Sequence, residues 1–296
     1  MQTLYTIETT EATAYDGKAG KLLDKHLDQS RQIFVYLLHH IIRVAQYAET
    51  DAKVRSSKHL PTAEDLNVNI KIAGNEIIWK MLDDPSYQKA VADIKPRQWD
   101  DDELIRKTYL QLCESQVYKE YIALQERNRK SEKSILELIF TDLMLANDDF
   151  MGHMEDNFIH WDDDAGMMNQ LVMNFLQKPY CDFQDMLGTE KRKFAGDLLQ
   201  CVVDKKQVCL ELIKPKLKNW DAERIAILDM ILMEMGVCEF LYFETIPTKV
   251  TINEYIDLAK EYSTPQSGHF VNGILDSIHK DLLTQDKLHK VSHKKS

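Results

Sequence analysis

Several groups of side chains are of types that hold metals or move protons, and their spacing decides what they can do. His39 and His40 are adjacent in a helical pattern with no carboxylate at helical spacing to orient either ring, so they read as surface or satisfied core histidines. His153, Glu155, Asp156 and His160 fall on one amphipathic stretch, but a di-metal bundle needs Glu-x-x-His on paired helices, a pattern this chain lacks. Asp162, Asp163 and Asp164 lack the spacing and the later glutamate of a calcium loop; they suit the cap of a helix from Ala165 to Gln177. Cys113, Cys181, Cys201, Cys209 and Cys238 are odd in number and contain no C-x-x-C pair, which reads as reduced, mostly buried thiols of a cytosolic protein. No nucleophile-base set, glycine-rich phosphate loop or zinc spacing rises above chance. The expectation is no catalytic residue, no metal and no cofactor: a binding protein, not an enzyme.

The element with the strongest signals lies near the end of the chain. Ile225, Leu228, Leu232 and Met235 recur at helical spacing from about Asp221 to Tyr242, and Ile227, Ile231 and Val237 fill a second stripe, so this helix is predicted to lie in a core. Pro247 ends it. Thr251-Ile252-Asn253-Glu254 has the form of a capping box opening a second helix, with Ile252, Tyr255, Ile256, Ala259 and Tyr262 inward. After Pro265, Ser267 is placed to cap a third helix, whose apolar face is Phe270, Val271, Ile274, Leu275 and Ile278. Gly273 costs that helix about 1 kcal/mol, and close approach of another backbone would explain it.

The string IPTKVTINEYIDLAKEYSTPQSGHFVNGILD, residues 246 to 276, resembles the C-terminal helical bundle of the NusB family of transcription antitermination factors. That family shows VP-x-KV-x-INEA-x-ELAK-x-Y followed by S-x-x-FVNG-x-LD, and the likeness runs without a gap from Asp229 to Asp276. It resumes loosely at Phe194-Ala195-Gly196-Asp197-Leu198-Leu199, Leu212 and Pro215, and Gln2, Leu4 and Tyr5 resemble the end of the family's first helix, without the arginine-rich arm that precedes it there. The resemblance implies an all-α, NusB-like arrangement of helical bundles with a large helical insertion, the long Bacteroidetes-like form. Its divisions would be residues 1–15 as a remnant of the first helix, 16–188 as insertion, 189–283 as the bundle and 284–296 as a basic tail. It also implies a role as an RNA-binding transcription antitermination and elongation factor, acting with NusE, a small ribosomal subunit protein, on boxA-like RNA during rRNA transcription and reaching RNA polymerase indirectly.

Carried over residue by residue, the RNA-contact positions are Tyr5, Gln266, Ser267, His269 and Phe270, and the partner-contact position is Asp229. Phe270 and Tyr5 would each stack on a base or serve as core aromatics; Ser267 would touch RNA or cap its helix. His269 stands where many relatives have lysine and Gln266 where aspartate is common. Met230 follows Asp229 where a base is usual. The alternative reading is a protein-interaction scaffold that kept the fold and lost RNA recognition. The NusB-like domain of RNA cytosine methyltransferases is a remote third, since nothing here could form their cofactor-binding α/β domain.

In the rest of the chain, helical patterns are expected over Lys21–Ala52, Ile72–Leu82, Asp100–Gln125, Ser134–Ala146 and Asn147–Trp161. Linkers are expected at Tyr15–Gly20, Ser56–Asn69 and Glu126–Lys133, and a short connection between Pro85 and Pro96. Val68 to Ile72 gives a weak strand alternation that the following helical run overrules. Hydrophobic residues make up 44% of 296, enough for a sizeable core. The formal net charge is −11, and residues 244–296 are balanced at seven bases and seven acids, so the whole excess lies upstream and weakens unassisted polyanion binding. The absence of long apolar runs and of a signal-like N-terminus suggests a cytoplasmic protein with no membrane contact.

Overall fold

The computed structural model describes residues 1–10, 18–217 and 225–291. Among these there are fourteen α-helices and no strand, so the all-α class holds. The chain divides into a terminal unit, Met1–His26 with Leu187–Ser296, and a middle unit, Leu27–Met186. Their hydrophobic cores share no residue.

In the middle unit, α2 (Ala19–Ser56) supplies the unbroken buried run from Ile33 to Ile42, the pattern of a helix surrounded by neighbours. Around its core stand α3 (Ala63–Leu66), α4 (Glu76–Leu82), α5 (Pro85–Ile94), α6 (Asp102–Glu114), α7 (Gln116–Ala123), α8 (Arg129–Leu138), α9 (Asp148–Asn157) and α10 (Trp161–Gln177). Pro85 and Pro96 open helical segments instead of bounding a connection. Pro85 occupies the first helical position, where its missing amide costs nothing, and Asp84 caps it through the Ser86 amide at 2.7 Å. Thr62 and Asp65 form a capping box inside the expected polar linker. The helix expected over 100–125 breaks at Ser115, whose hydroxyl accepts from the Tyr118 amide at 3.1 Å and starts α7. Ser134 opens no helix, because Asn128 has already capped α8 six residues earlier through the Ser131 amide. α8 continues into a π-helical turn, Ile139–Met144, and the acids at 162–164 lie inside the first turn of α10. Residues 68–72 form no strand; Lys71–Gly74 is a 3-10 turn.

Several of the middle unit's buried polar groups are paired across helices. Glu132, fully buried, accepts from Tyr121 Oη at 2.9 Å, Arg127 Nη1 at 3.1 Å and the Glu76 amide at 2.8 Å, tying α4, α7 and α8 together. His39 lies 3.0 Å from Asp100, a carboxylate supplied by tertiary structure, and His40 Nδ1 lies 3.4 Å from Tyr36 Oη. Tyr36 Oη also meets His153 Nε2 at 2.7 Å.

In the terminal unit, α12 (Ile227–Tyr242) is central. It packs against α1 (Gln2–Thr9), α11 (Thr189–Ile213), α13 (Thr248–Tyr262) and α14 (Ser267–Thr284). Every residue from 231 to 240 is buried, as the two apolar stripes predict, though Ile227 is exposed. The expected start at Asp221 and part of the 15–20 linker lie outside the described residues. Gly236, not Gly273, is where two helices approach closely: a Cβ there would meet Leu275 Cδ2 at 2.9 Å, whereas one at Gly273 would meet nothing. The tail is fastened as far as Val291. Lys290 Nζ donates to the Glu239 and Phe243 carbonyls, both at 2.7 Å, which caps the C-terminus of α12, and the Val291 amide donates to Glu244. Residues 292–296 lie outside the described residues.

Candidate nucleic-acid interface

Two buried carboxylates on α12 organise the elements that carry the predicted contact residues. Asp229, 5% exposed, accepts from Ser263 Oγ at 2.7 Å and Ser267 Oγ at 2.8 Å, and so joins the start of α12 to the turn between α13 and α14. Glu239 accepts from Thr251 Oγ1 at 2.8 Å and Tyr255 Oη at 2.6 Å, which fixes α13 against the other end of α12. The Tyr255 hydroxyl is held well above its ordinary pKa by burial and by Glu239. Thr251 therefore caps nothing. α13 begins at Thr248 after Pro247, and its fourth residue turns inward to a carboxylate twelve positions back.

These networks sort the predicted site residues into two sets. Asp229 and Ser267 are interior and satisfied by each other, and Ser267 is the first residue of α14, whose N-cap is Gln266. Phe270 is 9% exposed and belongs to the hydrophobic core, so its ring offers little face to a base. Asp229 lies on the inner side of α12, and Ser267 and Phe270 lie on the face of α14 that packs against it. Tyr5, Gln266 and His269 are exposed. Tyr5 lies on α1 and the other two at the start of α14, both helices that pack on α12. One turn on from His269, Asn272 and Gly273 are also exposed, so the outer face of α14 presents an imidazole, an amide and a bare stretch of backbone.

Sequence reasoning missed a second aromatic surface on this unit. Tyr242, 44% exposed, has the Lys205 ammonium 5.8 Å from its ring centroid, and Phe194, 38% exposed, meets Phe243 edge-on at 5.5 Å. The available signal was the run Lys191-Arg192-Lys193-Phe194, bases beside an aromatic at the start of a helix. Charge is divided between the units: counted from the sequence, the middle unit carries 18 Lys/Arg against 28 Asp/Glu, the terminal unit 19 against 20. Between α1, α11 and α12 lies a groove of about 220 Å³ floored by Leu210, Met230 and Ile231, where Lys206 pairs with Glu8 at 2.5 Å. Burial raises the Glu234 carboxyl there to about 7.

The NusB family model matches residues 160–280. Transcription antitermination protein NusB of Salinibacter ruber is 42% identical over 99 residues, 33% of this chain and 62% of that protein. The NusB of Methylacidiphilum infernorum is 40% identical over 102 residues, 34% of this chain and 71% of that protein. This chain belongs to the NusB family. A solved T. maritima NusB chain is 30% identical, with 36% of this chain and 78% of that one covered at a TM-score of 0.32. The family model's match begins at the turn before α10, a helix whose buried side chains belong to the middle unit's core. Within the NusB string itself, Thr251, Tyr255, Ser267 and Phe270 are interior, and Asn253, Gln266, His269 and Asn272 face solvent. No helix among the described residues is long and apolar enough to cross a membrane.

Proposed function

We propose that this chain is an RNA-binding transcription antitermination factor that acts with NusE on boxA-like RNA during rRNA transcription. The observation that carries the reading is the outer face of α14, where His269, Asn272 and Gly273 of the family string stand exposed together. A mid-helix glycine costs about 1 kcal/mol, and no packing neighbour of this one repays it. Room for a ligand backbone is the use left to it. Tyr5 and Gln266, with Tyr242 and Lys205, supply the stacking, hydrogen-bonding and cationic groups that single-stranded RNA takes. The terminal unit is close to neutral, so phosphate attraction is weak and the partner protein must add positive surface. Buried Asp229 contacts no partner in this reading; it holds Ser267 and so aims α14.

The test is co-elution on a sizing column of the chain, NusE and a boxA-like RNA, with Gly273→Leu and His269→Glu as variants. The ternary complex should form, and each variant should retain fold and NusE binding while losing about tenfold or more in RNA affinity, the effect of a lost contact of about 1.4 kcal/mol. Tyr5→Ala should cost about 1 to 3 kcal/mol of RNA binding if its ring stacks. Failure of the RNA to join at any salt concentration would sink the reading.

A scaffold that binds partners without RNA is the second reading. It is favoured by the burial of Phe270 and Ser267 and by the excess of ten acids in the middle unit. Co-elution with NusE without retention of RNA would select it.

A further inference from the structure

The middle unit buries most of its large apolar side chains in one core but leaves several at the surface, among them Leu60, Ile159, Tyr180 and Trp79. On α4, Ile77, Ile78 and Met81 face inward while Trp79 is 54% exposed. Tryptophan on a surface forfeits a large burial gain, and it is the residue type most enriched at the centres of protein interfaces. Trp79 is not isolated. Its indole Nε1 lies 3.8 Å from the point where a Cβ on Gly74 would stand, and Arg127 Nη2 lies 3.0 Å from that same point. Arg127 Nη2 also donates to the Lys71 carbonyl at 2.8 Å, and Lys71 Nζ donates to the Leu124 carbonyl at 2.6 Å. Ile70, next to Lys71 and 47% exposed, and Leu124, 44% exposed, therefore flank the backbone groups that these cations bind.

The cations that build this surface are tied down by carbonyls and by buried Glu132, so the apolar groups around them are held in place before any partner arrives. The charge here also runs against its surroundings. Residues 66–80 and 116–132 together carry six Lys/Arg against four Asp/Glu, in a unit with 18 against 28.

We propose that Trp79, Ile70 and Leu124 form a docking surface for an acidic, leucine-bearing amphipathic segment of a partner protein. Aliphatic side chains outnumber the single aromatic, which suits leucine anchors better than a run of stacked bases. Exposed Lys80, Lys119 and Lys130 supply the complementary rim. The site belongs to the other unit from α14, and the proposal stands whether or not the α14 face binds RNA.

The probe is a synthetic 16-residue peptide with leucine at i, i+3, i+4 and i+7 spacing and glutamate elsewhere, titrated into the full chain while tryptophan emission is followed. Controls are the same peptide with lysine replacing glutamate and a uridine oligonucleotide of equal length. The acidic peptide should bind with a blue shift in emission, and Trp79→Ala should remove the shift and weaken binding by about tenfold or more, as for an interface anchor. Lys130→Glu should weaken it severalfold, and more so at low salt. Trp79 is on the surface, so circular dichroism and melting of Trp79→Ala should match the parent. Absence of binding, equal or tighter binding of the lysine peptide, undiminished affinity of Trp79→Ala, or displacement of the peptide by the oligonucleotide at this surface would each overturn the proposal.

Discussion

Glu234 and His40 show how burial sets a proton's cost in opposite directions. Burial lifts the Glu234 carboxyl from 4.5 to about 7, with Lys206 opposing and Glu8 adding to the rise. The native state therefore holds this proton more tightly than the unfolded chain does. The stability so gained is complete below pH 4.5 and is lost as pH rises to about 7. Glu234→Gln should stabilise the protein by about 1 to 3 kcal/mol at pH 8 and by little at pH 4, read from urea unfolding at both. An equal gain at the two pH values would mean the carboxyl charge is not its source. For His40, burial first and His153 second push the imidazole from 6.5 down to about 3, with Asp100 opposing. The unfolded chain then binds the extra proton, so stability falls as pH drops from 6.5 towards 3, by about 1 kcal/mol per unit. His40→Phe should flatten that slope, and hydrogen exchange in the middle unit would show it.

At the scale of elements, two glycines one helix apart should respond to the same substitution with opposite signs. Gly236 lets α12 meet α14 so closely that a methyl group would strike both Leu275 δ-carbons, at 2.9 and 3.0 Å. Gly236→Ala should cost about 1 to 3 kcal/mol by overpacking. Gly273 faces open space in the middle of α14, and Gly273→Ala should add about 0.5 to 1 kcal/mol of stability through helix propensity. Thermal melts of the two variants settle both signs. If α14 is the RNA face, the stabilised Gly273→Ala should bind RNA less well than the parent, a trade between stability and function.

The described residues of the molecule form two hydrophobic cores with no common member, the middle one including Phe140 and the terminal one Leu275. Phe140→Ala should cost about 3 to 5 kcal/mol and Leu275→Ala about 2 to 5. Native-state hydrogen exchange should show the first loss in α6 and α8 and the second in α12 to α14. Uniform loss of protection in either variant would mean the two cores unfold as one. The charge division follows the same boundary and leaves the middle unit with the entire acidic excess but one.

The sequence alone determined the helical class, the three terminal helices and the family, because these rest on signals local in the chain: apolar periodicity, Pro247 and Pro265, and an ordered string of fixed spacings. Tertiary structure decided which members of that string look outward. Ser267 and Thr251 have the form of helix caps in sequence, but each is claimed by a carboxylate on α12, thirty-eight and twelve residues away. Phe270 satisfies the pattern of a stacking residue and of a core residue equally, and only the packing of α14 on α12 puts it inside. Helix starts went the same way: Asn128 and Ser115 won their caps over Ser134 and over an unbroken run to Gln125. A capping side chain is worth only about 1 kcal/mol, whereas a helix face buried against its neighbours gains several times that. Where the two compete, the long-range contact sets the boundary and the orientation, and nothing within one helical turn of sequence records it.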